Sequence, residues 1–179
     1  IVKGVAMAPP PPPGSIAMTV RPPVRPRSGL RRWSVRHARL LEWLYEHFET
    51  ILLRGLRPLW NALRGTRAEK GVIVVEQGVK GLLFDCRMCG SCVLIATGMS
   101  CPMTCLKGLR NGPCGGVRAD GSCELDAEQP CAWVLAWDGN QRMRRNERIA
   151  GLQAPLDHSR RGTSSWLNKA AEWADDGSH

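Results

Sequence analysis

CRMCGSCVLIATGMSCPMTCLKGLRNGPCGGVRADGSCELDAEQPC, residues 86–131, holds all eight cysteines of a 179-residue chain. The ligand candidates are Cys86, Cys89, Cys92, Cys101, Cys105, Cys114, Cys123 and Cys131. Eight thiolates in so short a stretch suffice for two metal centres of four ligands each. Three readings compete. Disulfides suit small domains in oxidising compartments, but the chain shows no secretory signal and the two-residue gaps of Cys86, Cys89 and Cys92 are a metal-site spacing, so this reading ranks lowest. Two structural zinc ions with four cysteines each would use every thiolate. Zinc sites usually arrive as paired C-x2-C knuckles, whereas this block has one triple run and then C-P-x2-C, so the fit is loose.

The third reading is iron–sulfur. A C-x2-C-x2-C run presents three thiolates to three irons of one cubane, and a remote cysteine supplies the fourth corner. Ferredoxin-type runs also place Pro directly after a cysteine, as in Cys101-Pro102. Gly90, Gly98, Gly108, Gly112, Gly115, Gly116 and Gly121 let backbone N–H groups approach cluster sulfurs, which tunes the potential. Two [4Fe–4S] clusters are the expected content, with two Zn2+ ions as the alternative. The fourth partner of Cys86, Cys89 and Cys92 is left open. As buried small hydrophobes, one or two of the cysteines would be unremarkable; eight at this spacing would not.

The formal net charge of +9 resides entirely in residues 1–70, and residues 86–131 are neutral. A basic arm can meet nucleic acid or an anionic surface, but residues 1–32 lack any aromatic side chain and no nucleic-acid motif follows, so a solvated or partner-facing surface is the better reading. No run of 18 apolar residues exists, so no membrane insertion is expected. Reduced metal sites argue for the cytoplasm. The chain as given begins with Ile1, and Met7 and Met18 are candidate starts.

The expected organisation is a Pro/Arg-rich disordered arm at 1–32, a helical region at 33–70, a cysteine-rich metal-cluster domain with its tail at 71–167, and a C-terminal tail at 168–179. Ser34 is a candidate N-cap of an amphipathic helix to about Gly55. Its apolar face would be Leu40, Leu41, Leu44, Phe48, Ile51 and Leu52, opposite Arg36, Arg39, Glu42, Glu46 and Glu49. Pro58 limits it, and Leu59, Trp60 and Leu63 suggest another helical piece. Val72–Val75 reads as a short strand, as does AWVLAW with Trp133 and Trp137. Between Cys86 and Cys131, loops and short helical turns should wrap the metals. Arg142, Arg144, Arg145 and Arg148 read as a solvated face, and Ser164 as the cap of a last helix carrying Trp166 and Trp173. His37, His47, His158 and His179 have no ligand-like spacing to the cysteines. The expected fold class is a small α+β, cysteine-rich, metal-stabilised domain with an N-terminal amphipathic helical region and little regular sheet. No P-loop, dinucleotide fingerprint or nucleophile elbow is present, so no catalytic residue is named and the chain reads as a subunit or domain that serves an enzyme without performing the substrate chemistry.

Residues 84–124 with PCAWV at 130–134, and APLDHSRRGTSSWL at 154–167, resemble the C-terminal domain associated with methylenetetrahydrofolate reductases, which in acetogens is a separate small iron–sulfur subunit. The resemblance covers roughly residues 70–167, with RNGPCGG as its most specific piece. It implies a flavin-bearing TIM-barrel reductase subunit as partner, carrying FMN or FAD on that partner and not on this chain. It also implies that all eight cysteines are the family's cysteines, and that the chain relays electrons to the flavin or stabilises the assembly. Arg110 and Arg118, within the matching stretch, are candidates to face an acidic partner.

Overall fold

The computed structural model describes residues 28–55, 58, 59, 62, 65–112 and 114–176. Most of the Pro/Arg-rich arm, and Trp60 and Leu63 of the expected second helical piece, lie outside these residues. The architecture is mostly helical with one two-stranded sheet: α1 (Ser28–Arg36), α2 (Ala38–His47) running into a π-helical segment Phe48–Arg54, α3 (Arg67–Phe84), β1 (Ser122–Cys123), β2 (Asp126–Pro130), α4 (Ala132–Asn140) and α5 (Ser165–Asp176).

The N-terminal helix begins earlier than Ser34. Ser34 lies inside α1, fully buried, and its hydroxyl donates to the carbonyl of Leu83 at 2.7 Å, tying α1 to the end of α3. It is therefore a cross-helix tether and not a cap. His37 joins α1 to α2, and the helical ladder carries through it, His37 N–H to Trp33 O and Leu41 N–H to His37 O. The face turned inward also differs from the expected one. Ala38, Leu41 and Glu42 are buried, whereas Leu40, Leu44 and Ile51 are exposed. Glu42 decides this rotation. Its carboxylate accepts the backbone N–H groups of Arg144 at 2.7 Å and Arg145 at 3.2 Å, and a buried carboxylate is tolerated only with such partners. Glu46 takes Arg145 and Arg148, and Glu49 takes Lys169, so the acidic stripe docks this helix while Leu40 and Leu44 face outward.

Val72–Val75 is helical, not a strand. It lies in the 18-residue α3, which opens after an extended Thr66. The buried residues are Glu76, Lys80 and Phe84, spaced i, i+4, i+8, so helical periodicity and a buried ion pair override the β preference of the valines. Asp85 ends the helix in the left-handed conformation (φ 51°, ψ 46°), and Cys86 N–H returns to Lys80 O, which turns the chain into the cysteine loops.

AWVLAW is likewise helical and forms most of α4. Ala132, Ala136 and Asn140 recur at four-residue intervals and are buried, with Gly139 beside them, while Val134 and Trp137 face solvent. The small inner face permits a backbone crossing. A Cβ on Gly139 would collide with the carbonyl of Gly98, and one on Gly98 (φ 57°) with that of Ala136.

Loops with short 3-10 turns at Leu94–Ala96 and Pro102–Thr104 run from Cys86 to the hairpin, as expected. In the hairpin Ser122 pairs with Pro130 and Cys123 with Asp126, with an irregularity between them. Ser164 does begin the last helix: its hydroxyl accepts Leu167 N–H at 3.2 Å, and Leu167 and Ala170 of α5 are buried. The apolar core is small and divided. One part gathers Ala38, Leu41, Phe84, Leu94, Met99 and Met143 around Cys101 and Cys92. The other gathers Trp133, Ala136, Val117 and Ile149 around Cys131 and Cys105.

Gly139→Ala forces apart the crossing of α4 and the Gly98 turn. We expect it to lower stability by about 2 kcal/mol in urea unfolding, with Gly78→Ala, whose added methyl meets nothing, neutral or stabilising.

Candidate metal centres

Leaving α3, the chain makes a left-handed turn at Met88 (φ 47°) and again at Gly90 (φ 76°), and these turns aim Cys86, Cys89 and Cys92 into one cavity. Cys101 enters the same cavity from the next loop. The space is about 370 Å³ including its open mouth, and its other walls include Glu76, Leu94, Met103, Arg110 and Ser165. The C-terminal segment closes over this loop. Gly162 N–H donates to Met88 O at 2.8 Å, and the Asn168 side chain donates to Gly90 O at 3.0 Å. Gly90 is required there, because a Cβ would strike the backbone of Arg160.

The other four cysteines line a second space of about 320 Å³. Cys105 follows the Pro102–Thr104 turn, Cys114 sits in the glycine-rich loop, Cys123 ends β1 and Cys131 follows β2. Lys107, Gln129 and Trp133 are among its walls. The partition thus follows chain order, four and four, and Cys101 is the remote companion of the triple run.

All eight are free thiols, so no disulfide joins them. Backbone N–H groups point at sulfur in both sets, Met88 to Cys86 Sγ and Gly116 to Cys114 Sγ, each at 3.4 Å. Burial pushes the Cys86 thiol up to about 11 and Cys101 up to about 12, and the neighbouring sulfurs add to both shifts. A cation in the cavity is what would make these groups thiolates. Among the described residues no three or more His, Cys, Asp and Glu side chains are gathered as ligands of a single metal ion.

Sequence reasoning missed the charged wall of the first set. Lys80 Nζ donates to Glu76 Oε1 and to Ser165 Oγ, both at 2.8 Å, and the hydroxyls of Ser164 and Ser165 donate to Glu76 at 2.5 Å. Both charged residues are almost wholly buried. Burial works against the Lys80 ammonium, but Cys92 and Glu76 outweigh it and hold its pKa above the ordinary value. The ammonium also lies 5.0 Å from the Trp166 ring centre. The available signal was a Glu–Lys pair four residues apart in the mostly apolar run from Gly71 to Phe84. Arg110, whose side chain donates to Ala154 O and Ser91 O, and Arg118, which donates to Cys123 O and Glu124 O, both tie loops together internally. Of the four arginines read as a solvated face, Arg145 and Arg148 pair with Glu46 and Arg142 with Asp138. His37 stacks on Trp33 and His47 packs tilted against Trp43, and neither lines a cysteine cavity.

A family model described as methylene-tetrahydrofolate reductase C terminal matches residues 66–159, more than half of the chain and all eight cysteines. No curated protein and no solved structure matches.

Glu76→Ala strands a buried ammonium. We expect a loss of about 3–5 kcal/mol in denaturant unfolding, much of it recovered when Lys80→Met accompanies Glu76→Leu.

Proposed function

This chain belongs to the methylene-tetrahydrofolate reductase C-terminal family, and from that premise we propose that it is the iron–sulfur accessory subunit of a flavin-dependent reductase. In this reading it carries two [4Fe–4S] clusters and relays electrons to or from a flavin, FMN or FAD, held by a TIM-barrel partner that interconverts methylene- and methyl-tetrahydrofolate. The observation that carries the reading is the four-and-four partition of the cysteines around two separate cavities. Clusters bound there would supply one-electron chemistry.

The chain's own part is to hold and insulate. Cys86, Cys89, Cys92 and Cys101 would hold one cluster, and Cys105, Cys114, Cys123 and Cys131 the other. N–H groups of Met88 and Gly116 would stabilise charge on sulfur. Apolar side chains around Cys101 and Cys131 keep water away. Exposed Leu40, Trp43 and Leu44 on α2 offer the reductase a contact surface, as apolar patches on small domains commonly do. Among the described residues no helix is long and apolar enough to cross a membrane. Reduced thiolates in this number favour a cytoplasmic setting.

Anaerobic purification with the reductase partner, followed by iron, sulfide and zinc analysis and EPR after reduction, tests the proposal. About eight irons and eight sulfides per chain with a cubane signal are expected. About two zincs with no iron would make the chain a scaffold and overturn the relay. The partition makes a finer prediction: Cys101→Ser and Cys131→Ser each lose about half the iron, from different centres, and the double variant loses all of it.

A further inference from the structure

Arg31 is a buried cation with too few partners. It projects from α1, outside the residues matched by the family, and is 3 % exposed. Its Nη2 donates to Thr104 Oγ1 at 2.8 Å, while Nε and Nη1 are buried with no hydrogen-bond acceptor. A guanidinium removed from water needs opposite charge or acceptors, and one hydrogen bond does not meet that need. Burial is the largest influence on the group and lowers its pKa, against which Asp85, Cys101 and Cys131 act to keep it charged. Asp85 is hydrogen-bonded to Arg87, so that carboxylate is shared between two arginines.

The location explains what is missing. Thr104 stands in the turn between Cys101 of the first set and Cys105 of the second, and its hydroxyl also donates to Cys101 O at 2.7 Å. Its carbonyl accepts from the side chain of Gln129, a wall residue of the second cavity, at 2.6 Å. Arg31 therefore lies against the partition between the two cysteine cavities and is felt by a sulfur of each. Four thiolates around a metal centre leave that centre net negative, and more so when it is reduced.

We infer that Arg31 is the shared counter-charge of the two metal centres, stabilising both in their more negative, reduced form. The inference rests on the iron–sulfur reading. It assigns the setting of both potentials to a residue of the N-terminal helix, and it adds nothing to the ligand sets. The reasoning is Coulombic. In a site that excludes water, a fixed cation lowers the energy of the more negative redox state by more than it lowers that of the less negative one. Because the cation sits between the centres, removing it shifts both in the same direction.

The test uses the full chain, purified anaerobically with its partner, carrying Arg31→Met or Arg31→Lys. Methionine removes the charge while filling apolar volume, and lysine keeps the charge while losing the guanidinium fork. EPR-monitored redox titration of the loaded proteins is the readout, with iron content measured on the same samples. In R31M both centres should become harder to reduce by about tenfold or more, about 59 mV for one electron. In R31K both should stay within that margin of the unsubstituted protein. Unmoved potentials in an iron-loaded R31M, a shift in one centre only, or an R31K shift as large as that of R31M would each overturn the inference while leaving the iron–sulfur reading intact. If R31M does not accumulate folded, Arg31→Gln, which removes the charge but keeps a donor for Thr104, replaces it under the same margin and the same overturning outcomes. An unsubstituted protein without iron overturns the parent reading, and this one with it.

Discussion

Buried thiols grouped in fours are the constraint on which this structure depends. A sulfur such as Cys101, enclosed and facing three others, will not ionise by itself, because desolvation and mutual repulsion both favour the neutral thiol. Yet the chain spends its limited buried volume on these groups. Both parts of the apolar core are built around cysteines, Cys101 and Cys92 in one and Cys131 and Cys105 in the other. A domain of this size with so little aliphatic interior needs another source of stability. Under the proposed reading, ligands that become charged only when a metal arrives would provide it, and binding energy would be largely folding energy.

The helices around this centre are attached by charge more than by oil. Glu42 grips the backbone at Arg144 and Arg145, Glu46 and Glu49 reach Arg148 and Lys169, and Glu76 with Lys80 binds the two serines that open α5. Most of these links join segments distant in sequence. A buried ion pair is a weak source of net stability but an unforgiving one, since either partner alone is costly. Such links specify one arrangement of α2, α3 and α5 around the cysteine loops where apolar packing would tolerate several.

That preference for charge explains where the sequence could be read and where it misled. The cysteine block, its looped character and the cap at Ser164 were legible because they depend on local chemistry: thiol spacing, glycine and proline content, and a hydroxyl preceding a helical run. The helix face on α2 was misread because amphipathicity assumes leucines go inward, and here Glu42 goes inward while Leu40 and Leu44 stay out. Val72–Val75 suggested a strand because β-branched residues do so locally; the deciding residues, Glu76, Lys80 and Phe84, lie further along and act through partners in α5. AWVLAW concealed its helix because it is apolar on nearly every side, and only the small residues Ala132, Ala136 and Gly139 mark the face that meets the Gly98 turn. The division of the cysteines into sets was not legible beyond the triple run, because it is made by loop closure. No local spacing tells Cys101 to turn back toward Cys92 and Cys105 to turn away.

The boundary of the family match sharpens the point. Residues 66–159 contain every cysteine, the hairpin and α4, but neither α1 and α2 nor α5. All eight cysteines thus lie inside the family match, whereas some of the polar groups packed against the cysteine loops come from outside it: Arg31 from α1, and Ser164 and Ser165 from the start of α5. Lys80 is within the match, yet the serine hydroxyls that satisfy it and Glu76 are not. A ligand set fixes what can be bound. The potential of a bound centre also responds to every unscreened charge within several ångströms. Under the proposed iron–sulfur reading, such a division would let the elements flanking the cysteine block retune its centres without altering a single cysteine.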